Sequence, residues 1–281
     1  MKTTLISVTE LVALPPSDVL IVDCRYDPFD AGKGERDYRA EHIPSAVFAS
    51  LDRDLSDLTR ILLGLGRHPL PSEETFSAAL GCWGWRCGSQ VVCYDAGNGA
   101  LAAARLWWLL RLCGVQEAAV LDGGYAAWKA AGQPVSPDIT QRESTQVSLH
   151  YDVSQVVLDH AAVTRFKQEL LLDARATPRY LGEVEPLDRA AGHVPGAANR
   201  PFSENLEADG RFKPSAELRQ AFLAVIGAHS PEQVVHMCGS GVTACHNLLA
   251  MEHAGLTGSR LYAPSWSGWV SDPSRPVAVG S

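Results

Sequence analysis

One stretch sets the pattern of the whole chain, QVVHMCGSGVT at residues 233–243. Its first five residues have the length and apolar character of a β-strand, and Ala244 to His253 has the composition of a helix. Cys238 therefore stands between a strand end and a helix start, where backbone N–H groups and the helix dipole favour a thiolate. We interpret Cys238 as a nucleophile. The alternative is a cysteine that packs as a small hydrophobic residue.

The loop after Cys238 is rich in small residues, and its glycines permit positive φ. The backbone can then curl around a small anion with its N–H groups pointing inward. Ser240 can either hydrogen-bond a substrate or cap the following helix, and the sequence leaves both roles open. The predicted substrate cradle consists of four further loop residues: Gly239, Gly241, Val242 and Thr243.

The stretch around Cys238 has a counterpart in the first half of the chain. QVVCYD at 90–95 aligns with QVVHMC at 233–238, which places Asp95 at the position of the cysteine. Three more pairs of landmarks follow the same order: VLIVDCR at 19–25 with LLLDAR at 170–175, EHIPSA at 41–46 with GHVPGA at 192–197, and YAAW at 125–128 with WSGW at 266–269. This order indicates a duplicated domain with one active site, because only the second copy keeps the thiol.

In the loop sequence CGSGVT and in its duplication, the chain resembles the rhodanese-like sulfurtransferases. The loop looks like that of their mercaptopyruvate branch. Thiosulfate-preferring members typically carry basic side chains where this chain has Gly239 and Ser240. The resemblance implies an α/β fold of two tandem rhodanese-like domains, each a parallel sheet flanked by helices. It also implies sulfur transfer from 3-mercaptopyruvate through a Cys238 persulfide, with release of pyruvate. The implied acceptor is cyanide, a small thiol or a thioredoxin-like protein dithiol.

Short apolar runs alternate with helical stretches in both halves, which predicts parallel sheets covered on both faces. The predicted strands are 19–23, 90–94, 118–121, 170–173, 234–237 and 259–262. The predicted helices are 100–113, 215–226 and 243–253. Residues 134–155 contain prolines, many polar residues and little apolar periodicity, which is typical of a connector. We therefore predict a first domain over 1–138 without the catalytic cysteine, a linker over 139–155, and a catalytic domain over 156–281.

The resemblance also implies site residues outside the loop. Arg179 matches an arginine that family members use to bind the substrate, and bidentate capture of a carboxylate is typical of guanidinium. Family members usually have a second substrate-binding arginine, and we assign that role to Arg189. The stretch between Arg179 and His193 is shorter here than in those members. His68 corresponds to a histidine proposed to join an aspartate and the loop serine in a proton relay. Asp52 is the nearest match to that aspartate, and Asp54 is the alternative.

Composition limits the other possibilities. The net charge of −8 argues against a nucleic-acid partner, and the absence of a signal-like N-terminus or an uninterrupted apolar span predicts a cytoplasmic protein without a membrane partner. Seven cysteines without paired spacing predict no metal site, and we expect no cofactor. Three alternative functions stay open: a sulfurtransferase that uses thiosulfate, a persulfide carrier or interaction module, and a cysteine phosphatase. The phosphatase signature needs an arginine six residues after the cysteine, and Ala244 stands there.

Overall fold

Two parallel five-stranded sheets organise the chain in the computed structural model, which describes residues 1–280. Each sheet belongs to its own unit. The first unit comprises Met1–Asp57, Pro71–Asp152 and Ala208–Phe212. The second unit comprises Leu58–Leu70, Val153–Glu207 and the chain from Lys213 onward. The predicted fold class, with two tandem domains that each hold a parallel sheet flanked by helices, is confirmed.

The division into units departs from a simple cut along the sequence. Leu58–Leu70 lies inside the predicted first domain, yet its contacts are mainly with the second unit. Ala208–Phe212 is the reverse case, because it comes from the second half and packs in the first unit. The candidate residue His68 therefore belongs to the same unit as Cys238.

The sheet of the first unit has the strand order β1-β5-β4-β2-β3, and its paired strands run parallel. The strands are β1 (Leu5–Ile6), β2 (Val19–Asp23), β3 (Val47–Phe48), β4 (Gln90–Tyr94) and β5 (Ala118–Leu121). The helices are α1 (Val8–Val12), α2 (Lys33–Ala40), α3 (Glu73–Cys82), α4 (Ala103–Leu112) and α5 (Gly124–Ala130). Every residue of β2, β4 and β5 is buried, as expected for apolar strands that helices cover on both faces.

The sheet of the second unit repeats this topology in the order β6-β10-β9-β7-β8. Its strands are β6 (Val156–Val157), β7 (Leu170–Asp173), β8 (Ala198–Asn199), β9 (Val234–Met237) and β10 (Arg260–Tyr262). Its helices are α6 (His160–Thr164), α7 (Thr177–Leu181), α8 (Ser215–Ile226), α9 (Ala244–His253) and α10 (Ser265–Trp269). None of the helices within residues 1–280 combines the length and the apolar character needed to cross a membrane.

The two strand-to-helix loops differ in length. Residues 95–102 separate β4 from α4, whereas residues 238–243 separate β9 from α9, so the first loop is longer by two residues. The helix predicted to begin at Ala100 consequently begins at Ala103. In the second unit Thr243 is the N-cap residue of α9 and not its first helical residue.

His236 is a fully buried histidine on β9, two residues before Cys238. Its Nε2 lies 3.2 Å from Sδ of Met251, and in the described chain its Nδ1 has no hydrogen-bond partner. Burial, reinforced by the nearby charge of Arg200, lowers the pKa of His236 to about 3. The folded protein therefore holds a neutral ring, and protonation favours unfolding.

We expect acidification to destabilise the second unit through His236. Its pKa is about 3 when folded and 6.5 when unfolded, so its contribution is present above pH 6.5 and is lost as the pH falls towards 3. The loss between pH 7 and pH 5 is about 2 kcal/mol in the free energy of unfolding. Urea unfolding at both pH values should show a smaller loss for His236→Leu, while the exposed control His150→Leu keeps the wild-type loss. Equal losses in all three proteins would contradict this prediction.

Candidate active site

Cys238 begins the loop at the carboxyl end of β9, where residues that act in parallel-sheet folds gather. Its backbone N–H donates to Oγ of Ser265 at 3.1 Å, and its carbonyl accepts the N–H of Trp266 at 3.0 Å. Gly239 is held in the same way, because its carbonyl accepts the N–H of Ser267 at 2.9 Å. The first turn of α10 therefore fixes the backbone beneath the cysteine. Cys238 itself is 1% exposed.

Gly241 gives the loop its curvature. Its φ is +77°, a conformation that favours glycine, and an ideal Cβ there would lie 2.5 Å from the backbone oxygen of Ala263. A side chain at this position would displace either the loop or the chain after β10. The predicted need for glycine at residue 241 thus has a local physical cause.

The corresponding loop of the first unit shows which group such a loop holds. The Asp95 carboxylate accepts backbone N–H groups from Gly97 at 3.2 Å, Gly99 at 2.9 Å and Leu101 at 3.1 Å. The N–H groups of this loop therefore converge on an anion that the chain itself supplies. Asp95 occupies the position that Cys238 has in the second unit.

His68 and Ser240 are in contact. Nδ1 of His68 and Oγ of Ser240 share a hydrogen bond of 2.8 Å. The segment before His68 is seated on the start of α10, since the N–H of Arg67 donates to Oγ of Ser267 at 3.0 Å. Gly66 has a φ of +88°, and an ideal Cβ there would meet the backbone oxygen of Pro264 at 2.5 Å. This close approach allows the segment to reach the loop.

Arg179 also lies beside the loop. An ideal Cβ on Gly239 would be 3.6 and 3.7 Å from the two terminal nitrogens of Arg179. The guanidinium is held by Glu185, whose Oε1 accepts Nη2 at 2.6 Å, and by Asp188, whose Oδ2 accepts Nη2 at 3.3 Å. Asp188 is also paired with Arg67.

Burial opposes ionisation of both carboxyls that hold these arginines, but their pKa values shift in opposite directions. Burial raises the pKa of Asp188, although Arg67 and Arg179 favour its ionised form. Burial also opposes ionisation of Glu185, but the hydrogen bond from Arg179 and those from nearby backbone N–H groups bring the pKa of Glu185 below its ordinary value. Glu185 is therefore a firmly anionic partner of Arg179.

A family model described as the rhodanese-like domain matches the chain twice, over residues 7–131 and 159–272. The chain belongs to the rhodanese-like family. This confirms the family predicted from the loop sequence and from the internal repeat. The two matched ranges contain the Asp95 loop and the Cys238 loop respectively.

Relatives of this rhodanese-like chain carry two kinds of name. A Pseudomonas aeruginosa protein named "Probable 3-mercaptopyruvate sulfurtransferase" is 46% identical over 280 residues, which cover 98% of each chain. A Cricetulus griseus protein named thiosulfate sulfurtransferase is 33% identical over 88% of this chain and 84% of its own length. The solved structure of 3-mercaptopyruvate sulfurtransferase from Leishmania major superposes with a TM-score of 0.81 at 31% identity, and it covers 96% of this chain and 76% of that one.

Two predicted site residues of the rhodanese-like chain are placed differently from Arg179. Arg189 is exposed, and its Nη1 donates to the backbone oxygen of Ser271 at 3.3 Å, so the structure does not bring it to Gly239 as it brings Arg179. Asp52 belongs to the first unit, whereas His68 belongs to the second. The role of Asp52, and that of Asp54 as its alternative, therefore stays a prediction.

Arg67 was not among the site residues predicted from the sequence. An ideal Cβ on Gly239 would lie 3.1 Å from Nη2 of Arg67, which is nearer than either nitrogen of Arg179. The available signal was a basic residue directly before His68, in a segment with glycines at 64 and 66. Asp188 was also not predicted, because an acidic side chain gives no sequence signal that two arginines share it.

Proposed function

We propose that this chain is a sulfurtransferase that moves sulfane sulfur from 3-mercaptopyruvate to a thiol or cyanide acceptor through a persulfide on Cys238. One observation carries the proposal: Cys238 heads a loop whose counterpart in the first unit directs three backbone N–H groups at an anionic side chain. The Cys238 loop is two residues shorter but is also rich in glycine, and in this proposal its backbone N–H groups stabilise a thiolate and a persulfide anion without a metal. The names of the P. aeruginosa and L. major relatives support the choice of donor.

In the first step the Cys238 thiolate attacks the sulfur of 3-mercaptopyruvate. A sulfur–sulfur bond forms and the sulfur–carbon bond breaks, so the electron pair of that bond passes to the enolate of pyruvate. Protonation of the enolate carbon gives pyruvate, and Cys238 keeps the persulfide. Since Cys238 is 1% exposed, side chains around the loop must move to admit the donor.

In the second step an acceptor removes the outer sulfur and restores the thiolate. Cyanide would give thiocyanate, and a small thiol would give its own persulfide. A thioredoxin-like dithiol would end as a disulfide with release of hydrosulfide. The complete cycle is a double displacement. The cytoplasmic location expected from the sequence would supply reduced thiols as acceptors.

The Ser240 hydroxyl and His68 provide a route for the proton. The 2.8 Å hydrogen bond between them lets the hydroxyl pass a proton towards the departing carbon while the imidazole replaces it. Asp52, with Asp54 as its alternative, stays the sequence-based prediction for the acidic member of the relay. Gly239, Gly241, Val242 and Thr243 act through their backbone, and Arg179 binds the donor's carboxylate.

The donor is tested by comparing kcat/KM of the purified protein for 3-mercaptopyruvate and for thiosulfate, with cyanide as the acceptor. We expect a preference for 3-mercaptopyruvate, with one pyruvate released per sulfur transferred. A preference for thiosulfate would support the alternative that the C. griseus relative represents. A protein that accepts persulfide sulfur from another protein but turns over neither donor would be a carrier. Hydrolysis of an aryl phosphate without sulfur transfer would indicate a phosphatase.

We expect Arg179→Ala to raise the KM for 3-mercaptopyruvate more than it lowers kcat. The variant loses a charge-assisted contact with the carboxylate, which is worth about 2 kcal/mol or a factor of about 30. Arg179→Lys keeps the charge without the bidentate fork and should fall between the two proteins. Thermal unfolding controls for the loss of the Glu185 and Asp188 contacts. A KM within a factor of about two of wild type in Arg179→Ala would mean that the carboxylate binds elsewhere.

A further inference from the structure

A second guanidinium group faces the residue next to the nucleophile. The ideal Cβ position of Gly239 is 3.1 Å from Nη2 of Arg67 and 3.6 Å from Nη2 of Arg179. Both arginines belong to the second unit, although Arg67 comes from the first half of the sequence. Two guanidinium groups therefore flank one point of the loop, immediately beside Cys238.

Asp188 joins the two arginines. One of its carboxyl oxygens pairs with Nη1 of Arg67, and the other accepts Nη2 of Arg179 at 3.3 Å. The Asp188 side chain is 3% exposed, whereas that of Arg67 is 32% exposed. The backbone N–H of Arg67 is fixed separately by Ser267 at 3.0 Å. Arg67 is thus held at its backbone and at its guanidinium, yet its side chain remains within reach of solvent.

We propose that Arg67 is the second donor-binding arginine, and that Asp188 positions it and limits the positive charge at the site; this assignment rests on the sulfurtransferase function proposed above. A carboxylate that lies over Gly239 can contact Arg67 and Arg179 together. Arg189 lacks such a position, because it is exposed and its guanidinium is directed to the carbonyl of Ser271.

The charges around Gly239 favour a donor with a single negative charge. Arg67 and Arg179 bring two positive charges, and Asp188 and Glu185 offset them. Arg175, the next arginine along the chain, is already paired with Asp173 at 2.7 Å. A site whose charge is balanced in this way binds the monoanion of 3-mercaptopyruvate with less repulsion than the dianion thiosulfate, which needs an uncompensated positive field. Asp188 therefore acts on the choice of donor through the two arginines.

The first experiment measures kcat and KM for 3-mercaptopyruvate in wild type, Arg67→Gln and Arg189→Gln. The surface variant Arg165→Gln is the matched control, because Arg165 is exposed and pairs with the exposed Asp159. We expect Arg67→Gln to raise KM by a factor of about 10 or more, with a smaller change in kcat and a larger effect than in Arg189→Gln. Arg67→Lys, which keeps the charge and the aliphatic stem, should recover part of the KM and serves as the test if Arg67→Gln does not fold. An equal or larger effect in Arg189→Gln would overturn the assignment.

The second experiment measures the ratio of kcat/KM for thiosulfate to kcat/KM for 3-mercaptopyruvate. Asp188→Asn keeps the shape of the side chain and removes its charge, so the ratio should rise by a factor of about 10. A purely structural role would lower activity on both donors alike and would leave the ratio unchanged, which would overturn the role of Asp188. Wild type is the reference for both experiments. If wild type releases no pyruvate, the proposed function fails; if it does and Arg67→Gln behaves like Arg165→Gln, only the present inference fails.

Discussion

Cys238→Ser is expected to abolish sulfur transfer, with a fall in kcat of at least about 10⁴-fold, because a neutral hydroxyl cannot take the place of a thiolate that attacks sulfur. The fold should persist, since serine fills the same space and the backbone contacts of residue 238 with Ser265 and Trp266 do not involve the thiol. Intact-protein mass spectrometry after treatment with 3-mercaptopyruvate should show an adduct of about 32 Da, the mass of one sulfur atom, on wild type and none on the variant.

Two other cysteines provide controls for this result. Cys245 is buried on α9, and its Sγ lies 3.3 Å from the carbonyl oxygen of Gly241. Cys82 is exposed in the first unit. Peptide mapping should find the added sulfur on Cys238 in wild type and on neither of the others. Persulfide formation in Cys238→Ser at the wild-type rate would refute the assignment of the nucleophile.

The sequence was sufficient to predict the parts of this fold that depend on local patterns. β2, β4, β5, β7 and β9 begin and end at the predicted residues, because short buried strands of apolar and β-branched residues differ clearly from the helices between them. The duplication was also visible, since each copy needs the same landmarks to close its own sheet. The position of Cys238 followed from the order of strand, loop and helix.

Other parts of the site depend on contacts between segments that are distant in sequence. Leu58–Leu70 packs with the second unit, so Arg67 meets Asp188 across 121 residues and His68 meets Ser240 across 172. The repeat could not predict this, because a repeat aligns each segment with its own copy and carries no information on exchange between copies. The longer loop at 95–102 has a local cause instead, because Asp95 accepts N–H groups from residues two, four and six positions further on, and the aligned repeat gives no sign of these contacts.

The second large effect is expected for Gly241→Ala. The positive φ of residue 241 costs a non-glycine residue roughly 1–2 kcal/mol. The added Cβ would also lie 2.5 Å from the carbonyl oxygen of Ala263, a backbone atom that cannot move away by side-chain rotation. The loop must shift to relieve this contact, and the shift would change the positions of its N–H groups relative to the Cys238 sulfur. Because a displacement of about 1 Å in a reacting site can cost about 100-fold in rate, we expect at least that loss in the rate of persulfide formation.

Gly196→Ala separates strain from displacement in this test. Gly196 has a φ of +83°, close to that of Gly241, but nothing lies within 4 Å of its ideal Cβ position. Both variants should therefore lose a similar amount of stability through φ, whereas only Gly241→Ala should form the persulfide slowly. Stopped-flow measurement of pyruvate release in a single turnover gives that rate directly. If the two variants form the persulfide equally fast, the curvature at Gly241 is needed only for folding, and the backbone N–H groups do not stabilise the reacting sulfur.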